Sequence, residues 1–254
     1  MRTSHVHALY VHESSRVHEL EAHVKVAAMF VFVLAVVATP REAFWAFGIQ
    51  GVLLGISARA ARIPIGFLVR RLLVLIPFVL FAVFLPFVGT GARTEVLGIS
   101  LSVEGLWGAW TILAKATLGV TASIVMAAAT EVTDILSGLD RLRVPRLIIA
   151  IAGFMIRYLD VVLGEMHRMR IAMRSRGYDP RWIWQGRALA TSAGALFIRS
   201  YERGERVHQA MVARGYQGQM PILNREPTRA GSWFRGLAFP AFAWVTAAAA
   251  LIMS

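Results

Sequence analysis

The chain has 254 residues, 57% of them hydrophobic and 17% charged, with no cysteine and a formal net charge of +12. This composition leaves too little polar surface for a soluble domain of that length, and without cysteine there is neither a disulfide framework nor a thiolate metal site. The positive charge does not mark a nucleic-acid binder: arginines beside membrane spans are what the positive-inside rule produces, and no basic stretch is interleaved with aromatics outside the apolar segments.

Residues 1–23 are polar and form an N-terminal segment. The first apolar run, VKVAAMFVFVLAVVATP, begins at Val24 and stops at Pro40. A cleaved signal rarely has so long a polar lead, so 24–39 reads as a true span, short enough to lean on Phe44 and Trp45 at the outer interface. AFWAFGIQGVLLGISA (43–58) follows after the charged turn Arg41-Glu42, and the two runs make a helical hairpin. RAARIPIGFLVRR (59–71) carries Arg59, Arg62, Arg70 and Arg71 and no acid, the mark of a cytoplasmic loop. The third run, LLVLIPFVLFAVFLPFVG (72–89), contains Pro77 and Pro86, which predict kinks. Residues 90–104 hold one arginine and two glutamates, so they belong outside, and Ile99, Leu101 and Val103 alternate in the manner of a short strand. The fourth run, LWGAWTILAKATLGVTASIVMAAA (106–129), has Lys115 near its middle. Such a lysine is either functional or, the reading favoured here, faces another helix or a partner's carboxylate.

From Thr130 to Arg235 the pattern changes: residues 165–235 hold thirteen arginines against five acids. Residues 131–145 place Val132, Ile135, Leu136, Leu139 and Leu142 on one stripe, an amphipathic helix of about three turns ended by Pro145. Residues 146–177 read as a long helix that leaves the membrane partway, with Arg157 and Asp160 close enough to pair, and 187–215 repeat that plan. GLAFPAFAWVTAAAALIM (236–253) is the last clean run. The expected organisation is therefore a cytoplasmic segment over 1–23, four spans over 24–129, cytoplasmic-side coupling helices over 130–235 and a fifth span over 236–254. That is an all-α polytopic protein of the inner (plasma) membrane with its N-terminus in the cytoplasm. The sequence leaves open whether 146–164 and 187–200 enter the bilayer.

Within the charged third a phrase occurs twice. At an offset of 38, Arg168, Ala172, Met173, Arg176, Gly177 and Tyr178 match Arg206, Ala210, Met211, Arg214, Gly215 and Tyr216. Glycine just past a helix supplies the left-handed residue that stops it, and arginine there complements the negative end of the macrodipole. Arg-Gly alone would be an ordinary cap. Six identities over an eleven-residue stretch point instead to a paired docking surface that presents two arginines to a partner's carboxylates.

The paired RSRGY (174–178) and VARGY (212–216) resemble the transmembrane T components of energy-coupling-factor transporters. HALYVHESSRVHELEAHVKV (7–26), LRVPRLI (142–148), FMIRYLDVVLGEMHRMRIAMRSRG (154–177) and RSYERGERVHQAMVARGY (199–216) are similar to the cobalt/nickel branch, the CbiQ family. One departure is Leu20-Glu21-Ala22-His23 before Lys25, where many members carry Asp-Pro-Arg. The resemblance implies an ATP-driven importer in which a CbiM-like membrane subunit holds Co2+ or Ni2+ and two CbiO-like subunits hydrolyse ATP. It also allows for a small accessory membrane subunit. This chain would bind no cofactor itself, and it would dock the ATPases through Ala172, Met173, Arg176 and Gly177 and through Ala210, Met211, Arg214 and Gly215.

Five of the seven histidines, His5, His7, His12, His18 and His23, lie in residues 1–23 at spacings that do not align ligands on one helix face. His167 and His208 flank the repeats and read as interface or solvent residues. No Gly-x-x-x-x-Gly-Lys-Ser/Thr loop is present, so ATP hydrolysis is assigned to partners. The rival readings are a T component for a vitamin such as biotin, a self-sufficient transporter, which would show inverted rather than direct repeats, and a scaffold for anionic lipids built on the 165–235 arginines.

Overall fold

In a computed structural model, which describes residue 15 and residues 17–90, 92–96, 99–178, 186–218 and 230–253, the apolar runs fold as helices. The order is α1 (Ala22–Ala38), α2 (Phe44–Ala60), α3 (Ile65–Leu72), a 3-10 turn (Leu73–Leu75), α4 (Ile76–Val88), β1 (Arg93–Val96), β2 (Ile99–Ser102), α5 (Val103–Ala128), α6 (Val132–Arg141), α7 (Arg146–Ser175), α8 (Arg187–Ala213) and α9 (Ala230–Met253). Four helical stretches are long and apolar enough to cross a membrane: Ile65–Val88, Val103–Ala128, Arg146–Ser175 and Gly231–Met253. The apolar helices α1 and α2 have 17 residues each, about 26 Å at 1.5 Å per residue, the lower limit for a span. The chain is thus an all-α polytopic membrane protein.

The described residues divide into two compact units, one holding α1 to α6 with α9 and the other holding α7 and α8. In the first unit α1 lies against α9, α5 and α6, and α4 lies against α5. Lipid gives helices no hydrophobic reason to associate, so close approach at small residues carries the packing. Ala35, Ala243 and Ala247 are fully buried, and an added Cβ on Gly236 of α9 would collide with Val24 of α1. Gly105 of α5 likewise sits on the Leu85–Pro86 backbone of α4. The rest of α4 turns outward, with Phe78, Leu80, Phe81, Val83, Phe84 and Phe87 exposed, as suits a lipid-facing helix.

Two lysines join α1 and α5 reciprocally. Lys25, in the first turn of α1, donates from Nζ to the carbonyl of Ala129 at the end of α5 (2.8 Å) and to that of His18 (3.3 Å). Lys115 of α5 donates to the carbonyl of Val37 in the last turn of α1 (2.7 Å). Each ammonium meets carbonyls that the other helix leaves without an internal partner, at the negative end of its macrodipole. Lys115 therefore faces a helix, the favoured of the two readings. Just past the C-terminal end of α1, Arg41 pairs with Glu104 at 2.9 Å and lies over the Trp107 ring, while Phe44 packs on Trp107 and Trp110.

The structure revises several boundaries. Residues 59–71 are not one loop: Pro64 precedes a new helix, α3, which already contains Arg70 and Arg71. Pro77 stands at the start of α4 after the 3-10 turn, where its missing N–H costs nothing, so only Pro86 lies inside a helix in this run. The expected strand has a partner: β2 pairs antiparallel with β1, Arg93 opposite Ser102 and Val96 opposite Ile99. It ends before Val103, because Ser102 caps α5 by accepting from the Gly105 N–H at 3.2 Å. The amphipathic helix predicted over 131–145 is α6, with its stripe half-buried. It packs on α1 so closely that a Cβ on Gly138 would sit 2.8 Å from the His23 nitrogen. Glu21 reinforces this contact, binding Arg141 at 2.9 Å and Ser232 at 3.2 Å. By its contacts, α6 belongs to the same compact unit as α1, which runs to Leu142. The helix of the C-terminal span starts at Ala230 rather than 236.

Candidate functional site

The second unit is built on α7 and α8, and its repeated phrase forms two helix ends of one geometry. At the end of α7, the Gly177 N–H donates to the Arg174 carbonyl at 3.0 Å and the Tyr178 N–H donates to the Met173 carbonyl at 3.1 Å. At the end of α8, the Gly215 N–H donates to Val212 at 2.9 Å and the Tyr216 N–H to Met211 at 3.0 Å. These are the paired bonds of a Schellman cap, which requires a left-handed residue after the C-cap. Gly177 has φ +74° and Gly215 has φ +85°. The two C-cap arginines match as well, with φ −93° at Arg176 and −95° at Arg214.

This geometry divides the six shared residues. The cap bonds require only the left-handed glycine; Met and Tyr stand at its C3 and C″ positions, where an apolar contact commonly accompanies such a cap. It does not require Arg168, Ala172 or Arg176, nor Arg206, Ala210 or Arg214, because any L residue reaches a C-cap φ near −95°. All six of these side chains are exposed, whereas Met173, Met211, Tyr178 and Tyr216 are half-buried. Met173 is turned toward α8: Ser192 Oγ donates to its sulfur at 3.5 Å. An arginine at a helix C-terminus gains at most about 1 kcal/mol from the macrodipole at an exposed site, too little to account for its recurrence with the surrounding phrase.

The helices cross antiparallel. Glu165 of α7 lies beside Arg199 and Arg203 of α8, while Met173, further along α7, lies beside Ser192, earlier in α8. From Ser192 to Arg214 the rise along α8 is about 33 Å at 1.5 Å per residue, so the two arginine tips stand at opposite ends of the crossed pair.

At the crossing, Glu165 accepts from Arg199 at 2.8 Å and from Arg203 at 3.4 Å, and Arg168 lies 3.9 Å away. Arg199 and Arg203 are four apart and so share a helix face. The sequence reading missed this cluster. Its signal was present, because Glu165 is the sole acid between Asp160 and Asp179 amid several arginines. The Arg157–Asp160 pair expected from spacing does not form among the described residues, and both side chains are exposed; in water-accessible positions, three-residue spacing permits a pair without enforcing it.

Of the histidines, His167 and His208 are exposed. His18 Nδ1 lies 2.8 Å from Ser15 Oγ, and His23 is buried edge-on against Trp233. His5, His7 and His12 lie outside the described residues.

A family model described as "CbiQ: Cobalt transport protein" matches residues 13–222. The cobalt transport protein CbiQ of Rhodobacter capsulatus is 32% identical over 149 residues, covering 56% of this chain and 61% of that protein. A putative fused cobalt transport protein CbiMQ of Methanocorpusculum labreanum is 26% identical over 134 residues, covering 53% of this chain and 22% of the relative. The energy-coupling factor transporter transmembrane protein EcfT of Bacillus selenitireducens is 25% identical over 226 residues, covering 82% of each.

Proposed function

The chain belongs to the CbiQ cobalt transport protein family and is the transmembrane T component of an energy-coupling-factor transporter, and on that premise we propose that it couples ATP hydrolysis by two ATPase subunits to metal import through a separate membrane subunit. Proteins of this kind are membrane components of multi-subunit transporters rather than enzymes in themselves. ATP is bound and hydrolysed on CbiO-like partners, Co2+ or Ni2+ is the cargo, and a CbiM-like subunit holds it. The relatives named CbiQ and CbiMQ support the cobalt branch and a CbiM-like partner.

The observation that carries the proposal is the pair of matched tips. Arg176 and Arg214 are exposed at identically capped helix ends on opposite ends of the crossed pair, and two ATPase subunits need two such contacts. Each guanidinium docks opposite a carboxylate in an ATPase groove, with Ala172 and Ala210 allowing close approach and Gly177 and Gly215 ending the helix at the contact. The protein lies in the plasma membrane with its N-terminus and the Arg176 and Arg214 tips on the cytoplasmic side. The distribution of arginine supports this orientation: four in 59–71 and thirteen in 165–235, against one in 90–104.

Co-purification of the ATPase subunits and metal uptake test the docking. Truncating one member of a buried charge pair costs ~2–5 kcal/mol, a loss of tens to thousands in affinity. Arg176→Ala and Arg214→Ala should each weaken retention, the double variant should lose it, and lysine should rescue only in part because it lacks the planar fork. Normal retention and uptake by the double variant would reduce the repeat to two helix caps. A T component serving a vitamin such as biotin is the second reading, left open because the EcfT relative, matched over 82% of each chain, carries no metal in its name; co-purification with a vitamin-binding rather than a CbiM-like subunit would select it.

A further inference from the structure

The 38-residue offset of the repeat has a second consequence. Position 165 in the first copy corresponds to position 203 in the second, and these two residues touch: Glu165 and Arg203 lie 3.4 Å apart. In an antiparallel pair such as α7 and α8, a residue that contacts its own repeat equivalent lies on the two-fold axis relating the copies, as in an isologous interface. The other contacts agree. Arg199 is equivalent to position 161 and Ser192 to position 154, so the pairs Glu165–Arg199 and Met173–Ser192 fit one antiparallel register centred near position 164. The α7–α8 cross is therefore a pseudo-two-fold pair, and its tips are related by the same axis.

On such an axis identical charged residues would meet themselves. Two arginines or two glutamates at 165 and 203 would repel, whereas one of each attracts. The copies differ in sign at this position, and Arg199 adds a second guanidinium from the face it shares with Arg203. Glu165 is 13% exposed, far less than Arg199 at 60%, so the acid forms the enclosed centre of the cluster. Beside the Glu165 cluster, the Ser192–Met173 bond is a further polar contact between α7 and α8.

We propose that Glu165 is a positioning residue, the clasp that fixes the crossing of α7 and α8 and with it the spacing of the Arg176 and Arg214 tips. The use made of that spacing rests on the two-ATPase reading above. A two-fold pair of tips fits a two-fold pair of ATPases, and a second attachment at fixed spacing strengthens the assembly without any new contact. A loosened crossing leaves each tip intact and able to bind, but no longer holds both at once.

The chain has no cysteine, so labels can be placed without background. Ser175 and Ala213 are exposed and occupy equivalent positions beside the tips. The full chain, reconstituted in lipid nanodiscs with Ser175→Cys and Ala213→Cys and spin-labelled, reports the tip-to-tip distance by pulsed electron paramagnetic resonance. The parent should give one narrow distribution. Glu165→Gln should broaden or shift it, and Glu165→Asp should retain most of it. Arg199→Gln with Arg203→Gln should reproduce the Glu165→Gln distribution, and combining all three changes should add nothing further. An unchanged distribution in Glu165→Gln, or arginine variants that fail to reproduce it, would overturn the clasp. Retention of two ATPase subunits is read separately and should fall at least ~10-fold in Glu165→Gln, with the Arg176→Ala/Arg214→Ala variant as reference. A broadened distance together with undiminished retention in that reference variant supports the clasp and removes the docking reading; a narrow distance with lost retention in the reference variant does the reverse.

Discussion

Replacing Gly177 by alanine separates the two roles combined in the repeated phrase. Gly177 has φ +74°, and nothing lies within 4 Å of a Cβ placed on it. The substitution therefore meets no steric contact, and its whole cost is the left-handed backbone, ~1–2 kcal/mol for a residue with a side chain. That cost falls on the cap bonds from the Gly177 and Tyr178 amides to Arg174 and Met173. With tenfold for each ~1.4 kcal/mol, the cap should open roughly 5- to 30-fold more often. Hydrogen exchange of the intact chain in detergent or nanodiscs reads this directly: the amides at 177 and 178 should lose protection by that factor, while amides in the middle of α7 keep theirs. Gly177→Asn should recover part of the loss, because asparagine enters this region more readily than alanine. Arg176→Ala should do the opposite, barely altering exchange yet weakening ATPase retention. Equal protection in Gly177→Ala would refute the strained-cap account. If Arg176→Ala opened the cap as far as Gly177→Ala does, the arginine would belong to the cap and its recurrence would need no partner.

The membrane unit yields two further predictions. Gly138→Ala should destabilise the chain by ~1–3 kcal/mol, because the added Cβ meets the His23 backbone and must push α6 off α1; Gly119→Ala, where nothing lies within 4 Å, is the control and should be neutral or slightly stabilising in a thermal melt. Lys25→Met should lower the melting temperature more than Lys115→Met, since Lys25 donates to two carbonyls and Lys115 to one, each bond from a charged donor being worth ~1.5–3 kcal/mol when enclosed and less where exposed; equal melts for both variants and the parent would mean that lipid headgroups or water replace the caps at no cost.

What the sequence made legible was local. Apolar runs foretold the long helices, the stripe Val132–Ile135–Leu136–Leu139–Leu142 foretold α6, and Arg-Gly-Tyr foretold two abrupt helix ends, because a left-handed C′ glycine acts within one turn. What escaped depends on residues far apart in the chain. Glu21 meets Ser232 and Arg141, and Lys25 meets Ala129; no periodicity encodes such partners, and Leu139 looks the same whether its helix lies on α1 or in the cytoplasm. α3 was hidden for a different reason: four arginines in 59–71 carry a strong orientation signal, and charge says which side a segment occupies without saying whether it is helical.

The Glu165 clasp was concealed by the repeat itself. An internal repeat is recognised by its identities, so a position where the copies differ, Glu165 against Arg203, reads as drift. On a two-fold axis the logic inverts. Residues away from the axis can stay identical, because each copy meets a different neighbour. The charged residue on the axis meets its own counterpart and must differ from it in sign. The matching Arg176-Gly177 and Arg214-Gly215 mark the two tips, where each copy faces outward, and the mismatched pair marks the place where the copies face each other. In a direct repeat of charged helices, an opposite-charge mismatch at the repeat offset is therefore a signal for the crossing point, and here it falls on the residue that α8 encloses with two guanidiniums.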